Sequence, residues 1–265
     1  MGLGDELIAT GLARGAAARG KRIAFGDGSR QIWSAQSFEM FRGNPNIAPL
    51  GTETAADVWI PHYRGHRLYG EVVNGRWAFR DFECPPGEVF LTREEKAFAL
   101  GRLWVPDPVA IIEPRVKPIG ECAGAIKQWG TPKYQELAGR LLAATGCRPV
   151  QLVPVGAKPL LRDVDAIETP TFRHALAVLG LAALYIGPEG GLHHGAAAVG
   201  TPAVVIFGGF NTPRSTGYAW HDNIAVGEPC GSIDACWHCK AAMDSISVDR
   251  VLDGAVRQLG RRNAA

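Results

Sequence analysis

The chain has 265 residues, 46% hydrophobic and 20% charged, with a net charge of +2. That suits an ordinary globular protein of one large or two smaller α/β domains, and it gives no overall electrostatic case for a nucleic-acid or membrane partner. Six cysteines, three isolated (Cys84, Cys122, Cys147) and three clustered, do not form a secreted disulfide framework; no apolar run reaches the roughly 20 residues that span a bilayer, and the N-terminus lacks a signal-peptide layout, so a cytoplasmic protein is expected.

In chain order, GLGDELIATGLARGAAARG carries Leu7, Ile8, Leu12 and 16–18 at helical spacing, and RIAFG reads as the strand after it. Asp5 has two readings: an N-cap, or a carboxylate at the mouth of a first strand-to-helix turn, where ligands gather in open α/β sheets. A short strand at 31–33 and a helical patch at 35–42 end on the turn residues 43–46, and 57–60 reads as a further strand. Between 59 and 80, Trp59, Tyr63, Tyr69, Trp77 and Phe79 interleave with Arg64, Arg67, Arg76 and Arg80 around an Asn74-Gly75 hairpin signal. Such a segment is either an anion or planar-ligand surface or a plain surface hairpin. A strand at 87–91 and a Thr92-to-Glu95 capping box follow, the latter opening a helix that runs to about 104, with structural glutamates. Val105-Pro106-Asp107-Pro108 reads as the linker between two domains.

The second half alternates strands and helices: strand 109–112, helix 133–144 with Pro132 in its first turn and Gly146 after its end, strand 149–153, a short strand near 166–167, and helix 171–179. This alternation implies a parallel sheet covered on both faces. The stretch 184–208 is the centre of the reading: a strand, the turn GPEGG, the small-residue helix LHHGAAAV, and a second strand ending at Gly208-Gly209. Glycines at 187, 190 and 191 let a ligand approach the backbone, and the free amides of the helix start favour a phosphate or pyrophosphate, with His193 and His194 in the first turn to add hydrogen bonds or charge. A bare closing turn is the alternative. Asn211, Thr212 and Arg214 follow the second strand where another donor-side loop would sit, and Arg115 and Lys117 follow the 109–112 strand as solvated loop charges or phosphate contacts. Cys230, Cys236, His238 and Cys239 are ligand types suited to Zn²⁺, although the five-residue gap is not a standard first knuckle; a reduced or structural cluster is the alternative.

GPEGGLHHGAAAVGTPAVVIFG, then NTPRSTGY, a cysteine-bearing segment and MDSISVDRVLDGAVRQL, resembles the C-terminal half of glycosyltransferase family 9, the ADP-heptose:lipopolysaccharide heptosyltransferase group. AIKQWGTPKYQELAGRLL looks like that family's lysine-any-tryptophan-proline segment, and GLGDELIATGLARGA like its first glycine-aspartate turn and helix; residues 30–105 are shorter and unlike it. The resemblance implies an α/β fold of two facing Rossmann-like domains (GT-B type) with the N-terminal one shortened: 1–105 on the acceptor side, 106–247 binding the nucleotide sugar, and 248–265 a helix packing back towards the first domain. It further implies sugar transfer from a nucleotide donor with inversion, no cofactor and no metal. Asp5 maps to the general base, Lys127 to the lysine near the donor phosphates, and Pro188, Glu189, Gly190 and His193 to the aspartate-serine/threonine-glycine-any-any-histidine motif. Pro188 and Glu189 depart from that motif. A carboxylate beside a diphosphate repels it, so Glu189 is expected to face the ribose hydroxyls, or the donor to differ from ADP-heptose.

The expected partners are a nucleotide sugar, bound by Lys127, Glu189, Gly190, Gly191, His193, His194, Asn211, Thr212 and Arg214, and a saccharide or glycolipid acceptor met by Tyr63, Arg64, Arg67 and Trp77. Two other functions are carried forward. The Arg/aromatic hairpin could serve transfer to hydroxymethylated bases of DNA, with activity falling steeply as salt rises. The shortened first half and altered Pro188-Glu189 pair fit a non-catalytic sugar-nucleotide-binding module.

Overall fold

The computed structural model describes residues 2–103, 107–116, 125–234 and 236–263. The first half contains α1 (Leu3–Ala17), β1 (Ile23–Phe25), α2 (Ala35–Phe41), β2 (Val58–Ile60), β3 (Gly70–Val73), β4 (Arg76–Phe79) and α3 (Arg93–Arg102). The second contains β5 (Val109–Ile112), α4 (Thr131–Thr145), β6 (Arg148–Pro154), β7 (Asp165–Thr169), α5 (Phe172–Leu179), β8 (Leu184–Pro188), α6 (Gly191–Val199), β9 (Ala203–Gly208), α7 (Pro213–Thr216), β10 (Asp222–Ala225), α8 (Trp237–Ser245) and α9 (Val248–Asn263).

Strands β5 to β10 form one all-parallel sheet in the order β10-β9-β8-β5-β6-β7. Their apolar residues alternate between two cores because side chains leave a strand on opposite faces. Ile111, Val150, Tyr185, Val205 and Phe207 point to the face covered by α5 and α6, while Ala110, Ile112, Leu184, Ile186, Val204 and Ile206 point to the face covered by α4 and α9. The strand order is that of a doubly wound nucleotide-binding sheet, with its direction of winding reversing between the neighbours β5 and β8. Glu113, the residue after β5, and the turn after β8 therefore share the crevice where such sheets bind ligands.

The α/β class and the second-half elements agree with the sequence reading, including left-handed glycines after α4 and α6 (Gly146 φ 71°, Gly200 φ 77°). The first half is more reduced than two facing Rossmann-like domains would require. Its described strands are a parallel pair, β1 and β2, and an antiparallel hairpin, β3 and β4. Asn74 and Gly75 turn that hairpin with φ of 49° and 72°, as its sequence signal requires.

Four expectations need correction. Residues 31–33 are not a strand: Gln31 makes one isolated bridge to Gly26, and its buried amide is spent on Ala48 O and Gly51 N. Residues 87–91 are not a strand either, because this backbone lies against α1. A Cβ on Gly87 would come 2.5 Å from Leu7 O, and Glu88 N donates to Thr10 Oγ1. The final helix does not reach back to the first half as its main contact: α9 packs on α4, β8, β9 and β10, placing Val251, Leu252 and Ala255 in the second-half core. Asp5 is not an N-cap; Gly2 is, and Asp5 reaches back from the first turn to accept Gly2 N at 2.6 Å. Trp104, Val105, Pro106 and Lys117 lie outside the described residues.

The halves share one core. Leu7, Ala13, Phe25 and Met40 join Ile111, Leu176, Val178 and Phe207 in a single buried cluster. Helix α1 packs on α6 and α3 on α5. At the second contact Arg173, 1% exposed, donates to Glu95 Oε1 at 2.7 Å and to the carbonyls of Glu39 and Phe90.

Candidate active site

Three elements converge at the N-terminal ends of α1 and α6. A Cβ on Gly4 would stand 2.6 Å from His194 Cδ2 and 3.4 Å from Gly191 Cα, so only a glycine lets the two helix starts approach this closely. The residues just before β3 close the third side.

On the first-half wall, Asp5 is 6% exposed and its carboxylate is fully engaged. Arg67 Nη1 lies 2.9 Å from Oδ2, and Tyr69 Oη donates to Oδ1 at 2.7 Å. Arg67 also donates to Tyr69 Oη at 2.8 Å and stacks 4.7 Å above the Trp77 ring. Burial, and then the charge of Asp5, push the Tyr69 phenol well above its ordinary pKa, so it stays a protonated donor. The next residue, Glu6, is fully buried and accepts from Ser34 and Ser37, with His62 Nε2 3.1 Å away; this network ties α1 to α2.

On the second-half wall, Glu189 sits between β8 and α6. Its Oε2 contacts Lys127 Nζ and its Oε1 lies 3.5 Å from His194 Nε2. Burial opposes ionisation, yet Lys127 and His194 hold the carboxyl well below the usual range. His194 Nδ1 lies 2.9 Å from Tyr218 Oη, which Cys84 Sγ meets at 3.5 Å. Burial alone would lower His194; Cys84 and Glu189 outweigh it and raise it to about 9, so it is a cation at neutral pH. His193 behaves oppositely. Burial, then the neighbouring His194 and His221, push it well below its ordinary value, and both its ring nitrogens are buried without a hydrogen-bond partner. His221, packed 5.5 Å from it, is pushed down by burial to about 3. In the same crevice, burial raises Glu113 to about 8.

Asp5, Arg67, Tyr69, Lys127, Glu189 and His194 thus line one site, and the charge of Glu189 reaches Tyr69. The other expected residues separate. Asn211 spends its amide on Thr216 Oγ1 and Thr212 N, and Thr212 caps α7 through Arg214 N, so these polar atoms shape the loop. That loop still borders the site, since Lys127 Nζ lies 5.0 Å over the Phe210 ring. Tyr63 pairs with His66, Arg64 is exposed, and Arg80 holds Glu71 at 2.9 Å. Tyr69, Tyr218, Cys84 and Glu113 were given no site role from sequence. Tyr69 and Tyr218 stood inside the quoted Arg/aromatic and NTPRSTGY segments, but only tertiary contact reveals what they touch.

Among the described residues, two sets could hold a metal. Cys230, Cys236, His238 and Cys239 place their ligand atoms within 4.8 Å of one another, with Cys230 Sγ 2.9 Å from Cys239 Sγ and 3.7 Å from Cys236 Sγ. Three thiols and an imidazole suit a tetrahedral, thiolate-rich ion. This loop docks the hairpin: Trp77 N donates to Gly231 O, and Arg76 to Cys230 O. The second set is Glu189, His193 and His194, whose carboxylate already holds Lys127.

No protein-family model and no curated protein matches the chain. Among solved structures it is similar to the iron-containing dodecameric glycosyltransferase TibC from enterotoxigenic E. coli, with 15% identity over 99% of this chain and 74% of that one and a TM-score of 0.59. It is also similar to E. coli ADP-heptose LPS heptosyltransferase II (18% identity, 67% of this chain, 54% of that chain, TM-score 0.49). A third is the family 9 glycosyl transferase from Veillonella parvula (14%, 66% and 54%, TM-score 0.49). The chain spans about half the length of the last two. The first likeness shows a shared fold.

Proposed function

We propose that the chain is an inverting glycosyltransferase. It moves a sugar from a nucleoside-diphosphate donor to a saccharide or glycolipid hydroxyl, in the cytoplasm and without a metal ion at the reacting centre. In this reading residues 1–105 serve the acceptor and 106–247 the donor. One observation carries it: Gly4, the neighbour of Asp5, packs against His194 and Gly191, which sets the Asp5 carboxylate and the Lys127–Glu189–His194 cluster on the two sides of one junction of helix starts. Asp5 takes the proton of the acceptor hydroxyl as its oxygen bonds to the anomeric carbon. The bond from that carbon to the diphosphate breaks on the opposite side, and its electron pair stays on the phosphate oxygen. Lys127, His194 and the α6 amides stabilise that charge. Arg67 and Tyr69 hold Asp5 in place until an acceptor hydroxyl displaces one of them.

The non-catalytic binder is the second reading, favoured by the fully committed Asp5 carboxylate. Transfer to DNA bases has less support, because Arg67, Arg76 and Arg80 are each bonded within the protein. Purified protein incubated with ADP-, GDP- and UDP-sugars tests these readings through release of the nucleoside diphosphate. One donor class should be consumed, and Lys127→Met should lower kcat/KM by about a hundredfold or more, the usual scale for losing a transition-state charge partner. Donor binding with no release against any acceptor would favour the binder. If no nucleotide sugar binds, both readings fail.

A further inference from the structure

The two cations at the turn before α6, Lys127 and His194, are both held by Glu189. That carboxylate is 7% exposed and precedes the N-cap Gly190, yet α6 takes no side-chain cap from it. Beside it stands His193, fully buried, both ring nitrogens unpartnered, one of them within 4.8 Å of the carboxylate and of His194. The turn has room at its next residue: a Cβ on Gly190 would meet nothing within 4 Å. The turn therefore has two cations, an unpartnered imidazole and free space, while an anion belonging to the protein already faces the cations.

We propose that Glu189 is a resident anion in the donor's phosphate subsite, and that a nucleoside diphosphate binds by drawing Lys127 and His194 off its carboxylate. The inference rests on reading this turn as the diphosphate site. It replaces the ribose-binding role expected from sequence, since a carboxylate clamped by Lys127 and His194 is already spent on the groups that phosphate needs. Glu189 then sets donor affinity: its charge opposes the incoming phosphates and competes for their partners.

Calorimetric titration of inorganic pyrophosphate and of ADP into wild type, Glu189→Gln and Glu189→Thr tests this. Thermal unfolding identifies which variants are folded, and the smaller threonine provides a second chance should glutamine pack poorly. Binding should tighten by about tenfold or more in a folded variant, equivalent to about 1.4 kcal/mol, and Lys127→Met added to that variant should abolish the gain. Binding by a variant where wild type shows none would support the proposal equally. Equal or weaker binding by folded variants, with wild type binding, would overturn it and leave the diphosphate reading standing. Failure of every protein to bind either probe would overturn both.

Discussion

At the scale of single residues, adjacent histidines 193 and 194 have opposite electrostatics because they face different partners. His193 packs among Phe207, Tyr218 and His221 and stays neutral, whereas His194 faces Glu189 and is charged. This has a pH consequence. The folded-state pKa of His194, about 9, lies above the ordinary 6.5. Its contribution to stability is therefore fully present below pH 6.5 and is lost as pH rises towards 9, where the folded protein releases a proton that the unfolded chain has already lost. Urea midpoints of wild type should fall over that window, and those of His194→Gln should fall less. A variant with an unchanged slope would remove His194 from the account.

At the scale of elements, the strands and helices of the second half were legible wherever one local rule decided them. Strands β5, β8 and β9 are continuous apolar runs, Pro132 and Gly146 bracket α4, and Gly200 closes α6. Residues 31–33 and 87–91 were misread because the first forms only an isolated bridge from Gln31 to Gly26 while the Gln31 side chain bonds Ala48 and Gly51, and in the second the Glu88 amide goes to Thr10 Oγ1 rather than to a neighbouring strand. Nothing in a local pattern distinguishes those outcomes. The site divides similarly. The glycine turn, Lys127 and Asp5 stood out as residue types in a recognisable order. Tyr69 and Tyr218 did not, because Tyr69 gains its role by meeting Asp5 across 64 residues and Tyr218 by joining Cys84 to His194. The hairpin was legible from Asn74-Gly75, but not the separate fates of the arginines around it: Arg67 bonds Asp5, Arg76 the cysteine loop and Arg80 Glu71, while Arg64 is exposed.

At the scale of the whole molecule, the first half is too small to bury a core of its own and completes itself on α5 and α6. The halves should therefore unfold together, in one calorimetric transition whose calorimetric and van't Hoff enthalpies agree. Arg173→Ala, which leaves buried Glu95 without its main partner, should cost about 3–5 kcal/mol; two separate transitions would contradict a shared core. The same fusion brings Asp5, the proposed general base, to the junction with the Lys127–Glu189–His194 cluster. The most direct test is a comparison of wild type with Asp5→Asn, using the nucleotide sugar that wild type consumes and measuring turnover and donor affinity together. The account predicts a fall in kcat of about a hundredfold or more with donor affinity kept within a few fold, as expected when a general base is lost. Normal turnover by Asp5→Asn would contradict it.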